Sequence, residues 1–405
     1  MFKTLSHKFA GTWEKNRPDI QSALTRRLPS FFYAADDDLL MNDIPVFVFH
    51  SVSSPGFEAQ MQYLAVNGYK TLDADQLFEK VKNGEKHGGR RIALTFDDAL
   101  GSFWSVAYPL LEKYGFSAIL FVPPGLIPDD DCFYPALGTG EAASREQLQP
   151  LCTWPELIAM HQSGIVDIQS HSLTHSRINI SANVVDFLSP GFGKYILKHL
   201  DIPVRRDESP LAPVRNLRPG QPLYQSASRL NGRLRFLEDP RIDEALIEYI
   251  SGVGENDFFM QKNWRSILFK KHNEFVQKHG MQASYETAEQ MGKAVFQEFF
   301  LSKQMLESKL PGKQVRHFCY PWFQGAPMSD QIAKQCGYRS LHYGMDPVYA
   351  AKKTDMTMPV RIRRVSEEYL HCLPGKGRAS IGSVWARKLT GFAGKTSKQV
   401  FSSAF

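Results

Sequence analysis

Apolar positions along the chain alternate between two kinds of pattern. Continuous β-branched and aromatic runs predict strands buried on both faces: Asp43 to His50, Arg91 to Phe96, Phe116 to Val122 and Gly164 to Gln169. Between them the spacing is helical. Phe57, Met61 and Leu64 share one face with Gly68 just beyond; Asp73 and Gln76 form a capping box ahead of Leu77 to Val81; Phe103 to Tyr114 ends at Gly115; and Trp154 to about Ser163 follows Pro123-Pro124-Gly125 and a polar loop. Strand, helix, strand, helix predicts a parallel sheet or barrel. Three later runs, Val315 to Tyr320, Tyr338 to Tyr343 and Pro359 to Val365, predict further strands.

From Ser176 to about Ala294 the pattern changes. Pro and Arg dominate residues 203–222, with Arg205, Arg206, Arg215 and Arg218, and helical stretches follow at Ile242 to Ile250, Trp264 to Lys278 and Tyr285 to Leu310. Some 120 residues between two strands exceed any ordinary connection, so an inserted subdomain is expected. It leaves from the carboxyl end of the fourth strand and is a candidate lid. The arginines suit either a phosphate or acidic sugar, or structural pairing, the commoner case.

The chain has 405 residues and 43% hydrophobic content, enough for a large core and more than one compact unit. No apolar run approaches the roughly 18 residues needed to cross a bilayer, and residues 1–8 lack the apolar stretch of a secretory signal. The expected location is therefore cytoplasmic. Five scattered cysteines without a CxxC pair fit reduced thiols and argue against a cysteine zinc site. The net charge of +6 sits in the tail: Lys376 to Phe405 holds six basic residues and no acid. Ile381, Val384, Trp385, Leu389 and Phe392 recur there at helical spacing, and Phe2, Phe9, Trp13, Leu24, Leu28, Phe31 and Phe32 lie among bases at the other end. Both termini are thus read as contacts for an anionic membrane surface, peripheral at the inner face, against the alternative of a solvated basic tail. No nucleic-acid partner is expected.

The chemistry concentrates at strand ends. Ile92-Ala93-Leu94 runs into Thr95-Phe96-Asp97-Asp98, and the fourth strand delivers His171-Ser172-Leu173-Thr174-His175. Adjacent aspartates on a strand point opposite ways and can do different jobs, although one of them could simply cap the helix that follows. Two histidines and a carboxylate, His171, His175 and Asp98, make the ligand set of a catalytic metal site with a vacant position. Three consecutive aspartates, Asp129 to Asp131, lack the rest of a calcium loop and read as solvated.

These motifs resemble those of the polysaccharide deacetylases, metal-dependent carbohydrate esterases. Thr95-Phe96-Asp97-Asp98 looks like the first motif of that family, His171-Ser172-Leu173-Thr174-His175 like the second and Phe318-x-Tyr320-Pro321-Trp322 like the third; Trp154-x-Glu156-Leu157 leading into Gln169-Ser170-His171, and Ser302-Lys303-x-x-Leu306-Glu307, resemble its flanking segments. The resemblance implies an α/β fold, a distorted (β/α) barrel of about seven parallel strands with a large mainly helical insertion. Its parts would be an extension at 1–42, barrel at 43–175 and 295–370, the insertion at 176–294 and a basic tail at 371–405. It further implies a divalent metal, zinc by preference, held by Asp98, His171 and His175, with Asp97 as base toward the attacking water. A backbone N–H near Trp322 would stabilise the oxyanion, so that Tyr320, Pro321 and Trp322 join the site.

The sequence departs from the family at Phe323, where glycine is usual, and has no later Asp-Trp or Leu-x-His motif for the general acid. His342, near a strand end, is the candidate acid and His371 a weaker one; His50 and Arg361 or Arg363 are candidate pocket residues. The function so read is removal of N-acetyl or O-acetyl groups from a nucleotide-, lipid- or oligosaccharide-linked N-acetyl sugar. The alternatives are a catalytically silent carbohydrate-binding or scaffolding protein on this fold, and a deformylase or other C–N hydrolase.

Overall fold

Val46–Phe49, buried at all four positions, forms the first strand, β1, of a computed structural model that describes residues 28–32, 44–84, 89–136, 150–190, 202–209, 211, 217–345 and 357–394, with side chains to 387. Then come α1 (Ser54–Val66), β2 (Lys70–Thr71), α2 (Ala74–Asn83), β3 (Arg91–Phe96), α3 (Tyr108–Tyr114), β4 (Ala118–Val122), α4 (Trp154–Gln162) and β5 (Val166–Ser170). The capping box at Asp73 and Gln76 is formed, and Gly115 closes α3 in the left-handed region that a side chain would resist.

The insertion opens with a long antiparallel ribbon, β6 (Arg177–Phe187) with β7 (Pro222–Ser228), which the sequence reading lacks. β8 (Phe236–Leu237), α5 (Pro240–Val253), α6 (Glu255–Met260), α7 (Trp264–His279) and β9 (Ser284–Tyr285) complete it, around a separate core of Phe187, Ile242, Leu246, Ile250, Phe258, Trp264 and Leu268. α8 (Ala288–Lys309) carries the chain back through residue 294 without a break. β10 (His317–Cys319), α9 (Pro327–Gln335), β11 (Ser340–Tyr343), β12 (Val360–Arg363), β13 (Val365–Ser366) and α10 (Ile381–Gly394) follow.

The sheet runs β12-β11-β10-β5-β4-β3-β1-β13, parallel throughout, with β2 paired to β3 off this path. β12 and β13 are the two ends of that order and are consecutive in the chain, so Arg364 alone spans the seam of a nearly closed eight-stranded barrel. The expected count of about seven becomes eight because the run Pro359 to Val365 divides there. Alternation along each strand makes two layers. Val46, Ala93, Ile119, Phe121, Cys319 and Ile362 form one cluster, inside the barrel, while Phe47, Phe49, Leu94, Phe96, Leu120 and Val122 belong to the larger core packed with the helices.

The terminal segments join this larger core. Phe31 and Phe32 are buried, Phe31 against Phe47 and Phe32 against Tyr369, and Arg378 Nη2 donates to both of their carbonyl oxygens. Val384 is buried, and Trp385 Nε1 donates to Tyr369 Oη. These apolar residues, read from sequence as a lipid face, are spent on protein packing; Phe2, Phe9, Trp13 and Leu24, and the side chains of Leu389 and Phe392, lie outside the described residues. Among the described residues no helix is long and apolar enough to cross a membrane.

Candidate metal and catalytic site

Along β3, Ala93 faces the barrel interior, so Thr95 and Asp97 do too. The chain then turns sharply, Asp98 and Ala99 both having positive φ (69° and 53°), which swings the second carboxylate away from the first. Asp97 is buried and meets a fully buried guanidinium: Arg364 Nη1 donates to Oδ1 at 2.7 Å and Nη2 to Oδ2 at 2.8 Å. Nη1 also donates to Thr95 Oγ1, and the guanidinium lies 5.5 Å from the Phe121 ring and 5.2 Å from that of Phe323. Burial alone would push the Asp97 carboxyl up; the charge of Arg364 is the main influence against it, and the carboxyl lies below the usual range.

Asp98 Oδ1 lies 3.4 Å from His171 Nε2 and 3.3 Å from His175 Nε2. Bonds of about 2.0–2.1 Å to one tetrahedral ion would put ligand atoms about 3.3 Å apart. All three side chains are buried or nearly so, and Oδ1 makes no hydrogen bond, an orphan that a cation would satisfy. His171 Nδ1 lies 2.9 Å from the Cys319 carbonyl oxygen, which can only accept; Nδ1 therefore carries the proton and Nε2 offers its lone pair. The donor set and its spacing fit a divalent metal. A second trio, Asp97, His171 and Cys319, also converges, but its Asp97 is already taken up by Arg364, whose Nη2 lies 2.7 Å from Cys319 Sγ.

The histidine loop is strained and braced. Ser172 and His175 have positive φ (67° and 50°), a conformation costly for residues with a Cβ. Glu298, buried on α8, accepts from the backbone N–H of Leu173 and of Thr174 at 3.0 Å and from Thr174 Oγ1 at 2.5 Å. One turn along, Ser302 Oγ donates to the Ser172 carbonyl oxygen and bonds Ser170 Oγ.

The remaining expected site residues fall into two groups. His50, at the end of β1, places Nε2 4.0 Å from Asp97 Oδ2 with its side chain 35% exposed. The Trp322 ring lies 4.7 Å from that of His175 and tilted to it, with Arg177 4.8 Å over it from the insertion. Tyr320 and Pro321 are buried beneath, and Phe323, like Trp322, has positive φ (55° and 57°), keeping the backbone shape that glycine would adopt freely. The second group lies elsewhere. His342 is wholly buried inside the barrel, 4.8 Å from the Phe121 ring and 3.2 Å from Ser340 Oγ; burial, then Arg364, holds it far below the usual histidine range and hence neutral. His371 packs on Tyr63. Arg361 pairs with buried Asp330, which also accepts from Tyr320 Oη, so it braces the third motif from behind. In the insertion, Arg205 pairs with Asp243, and Arg206 bonds Glu238 through its backbone N–H and the Glu238 carbonyl through its side chain; Arg215 lies outside the described residues. Asp130 binds Cys132 N and Tyr134 Oη within its own loop.

Sequence reasoning missed Arg364 and Glu298. Strand parity was the signal for the first: Ile362 faces inward, so Arg364 does, whereas Arg361 and Arg363 face the other way. A carboxylate in the otherwise apolar stripe Val295, Phe299, Leu306 was the signal for the second.

Residues 84–186 match the family model described as polysaccharide deacetylase. The Bacillus subtilis protein YxkH, which carries a polysaccharide deacetylase name, is 28% identical over 144 residues, 34% of this chain and 44% of that protein. The poly-beta-1,6-N-acetyl-D-glucosamine N-deacetylase of Escherichia coli K12 is 28% identical over 142 residues, 35% of this chain and 20% of that one. The chain thus matches less than half the length of either relative. A solved de-N-acetylase from Aggregatibacter actinomycetemcomitans aligns with 84% of this chain and 99% of its own at 16% identity and a TM-score of 0.46.

Proposed function

We propose that this chain, related to the polysaccharide deacetylases through residues 84–186, is a metal-dependent hydrolase that removes N-acetyl groups from a sugar or glycan precursor. The substrate class we favour is a nucleotide-, lipid- or oligosaccharide-linked N-acetyl sugar. The observation that carries the reading is the convergence of Asp98, His171 and His175 at ligand spacing, with a separately held carboxylate, Asp97, alongside: its Oδ2 is 3.9 Å from His171 Nε2.

Asp98, His171 and His175 would hold the metal, zinc by preference. When bound, it would acidify a water and polarise the acetyl carbonyl. Asp97 takes the proton of the attacking water on Oδ2. The Arg364 fork keeps Asp97 ionised and aimed, at some cost in basicity. The backbone N–H of Trp322 serves the developing oxyanion, those of Tyr320 and Phe323 being bonded already to the His342 and Tyr320 carbonyl oxygens; the task needs geometry more than a particular side chain. For the departing amine the proton donor is His50 in preference to His342, because His50 is open to solvent and next to Asp97, whereas His342 is sealed in the barrel.

The test is acetate release from a panel of N-acetylated sugar nucleotides, lipid-linked sugars and oligosaccharides, with metal content measured on the same preparations. Asp97→Asn should lower turnover by about 10² to 10⁴ and retain metal. Wild-type turnover in that variant, or a native protein that is indifferent to chelators, would defeat the assignment.

A further inference from the structure

The loop that supplies two of the three ligands lies at the base of the insertion. His171 to His175 is where the chain leaves the barrel for β6, and α8 is the helix on which it returns. The two are joined side by side, Glu298 receiving three hydrogen bonds from the loop and Ser302 two more contacts, across sequence separations of 124 to 132 residues. Two of those loop residues hold positive φ, so the loop needs an external restraint to keep its shape.

Building on the metal-dependent reading, we propose that Glu298 is a positioning residue that sets the affinity and geometry of the metal site by clamping Leu173 and Thr174. Its two oxygens divide the work: Oε2 accepts both backbone N–H groups and Oε1 the Thr174 hydroxyl. A neutral amide keeps one acceptor oxygen, and alanine keeps none. The clamp also makes the site sensitive to the insertion, because α8 continues from β9 and from Glu286, which holds buried Arg229 in a two-point pair.

The experiment titrates apo-protein with Zn²⁺ against a chromophoric chelator and records the visible spectrum of the Co²⁺ form. Wild type, Glu298→Gln, Glu298→Ala and Thr174→Val are compared with Glu307→Gln, a change on the same helix that removes the charge of a different brace, the acceptor for Val315 N. Glu298→Ala should raise the zinc dissociation constant by about 10- to 100-fold, the usual loss when a group behind a ligand is removed. Glu298→Gln and Thr174→Val should fall between, the Co²⁺ bands should shift, and Glu307→Gln should leave both readouts alone. If Glu298→Ala does not fold, the Gln and Thr174 variants decide. Unchanged zinc affinity in folded Glu298 variants, or an equal loss in Glu307→Gln, overturns the clamp and leaves the ligand assignment standing. A wild-type protein that binds no zinc removes both.

Discussion

A carboxylate buried inside a barrel and expected to act as a base needs a reason to stay ionised, and Arg364 supplies it. The pair is bidentate and sealed, Arg364 wholly buried and Asp97 nearly so. Removing one member of such a pair leaves an uncompensated charge and typically costs about 3–5 kcal/mol. Arg364→Met should therefore lower stability and do something more specific to the pH–rate profile. In the native protein Asp97 titrates below the ordinary carboxylate range, so protonation stops it only in strong acid. Without Arg364, burial acts unopposed by its main partner, the carboxyl rises, and the acidic limb of kcat/KM moves to higher pH. A variant with reduced rate but an unshifted acidic limb would show that Arg364 does not tune Asp97. The four side chains Asp97, Asp98, His171 and His175 were legible in sequence because each sits in a short, dense motif at a strand end. Arg364 and Glu298 were not, since neither is near those motifs in the chain: each reaches the site by facing inward from a distant strand or helix, and only parity or an odd polar residue in an apolar stripe betrays it.

Turns carry more strain here than helices or strands do. Trp322 and Phe323 are consecutive left-handed residues with side chains, each costing of the order of 1 kcal/mol or more. The Phe323 ring fills the space beside Gly344: a Cβ on Gly344 would come within 2.8 Å of it. The same ring covers the Arg364 guanidinium. Gly344→Ala should consequently displace Phe323, lower the denaturant midpoint by the equivalent of about 1–3 kcal/mol, the usual cost of overpacking, and reduce turnover through Arg364. An unaltered midpoint and rate would mean that the turn yields freely and that the Phe323 contact is dispensable. At this scale the barrel strands and most helices followed from periodicity, whereas the ribbon of β6 and β7 did not. Its register shifts between Asn179 and Asp186, which breaks the twofold alternation that a strand is recognised by.

The whole barrel is held differently at its two ends. At the carboxyl end the chain crosses from β12 to β13 through Arg364, so the residue that closes the seam also reaches Asp97. At the amino end Leu72, Ala74 and Leu77 pack into the interior cluster, and a charged tie is added to them. Asp75, on the first turn of α2, accepts from Arg316 and Arg339 and lies 3.1 Å from Nε2 of buried His317, joining the starts of β10 and β11 to the helix layer. The hydrogen bond with His317 is the main reason its carboxyl is lowered to about 2 from 3.8, with the charges of His317 and the two arginines adding to it against partial burial. A carboxyl depressed in the folded state stabilises it fully above its unfolded value, near pH 4, and that contribution drains away as pH falls toward 2. Asp75→Asn removes the charge at every pH. The gap in urea midpoint between wild type and variant should thus be widest from neutrality down to about pH 4, then narrow in stronger acid. The group is half exposed, so salt should shrink the gap too. A gap that stays constant from neutrality into strong acid would mean that Asp75 acts through helix packing alone, and that the barrel's amino end owes nothing to this charge.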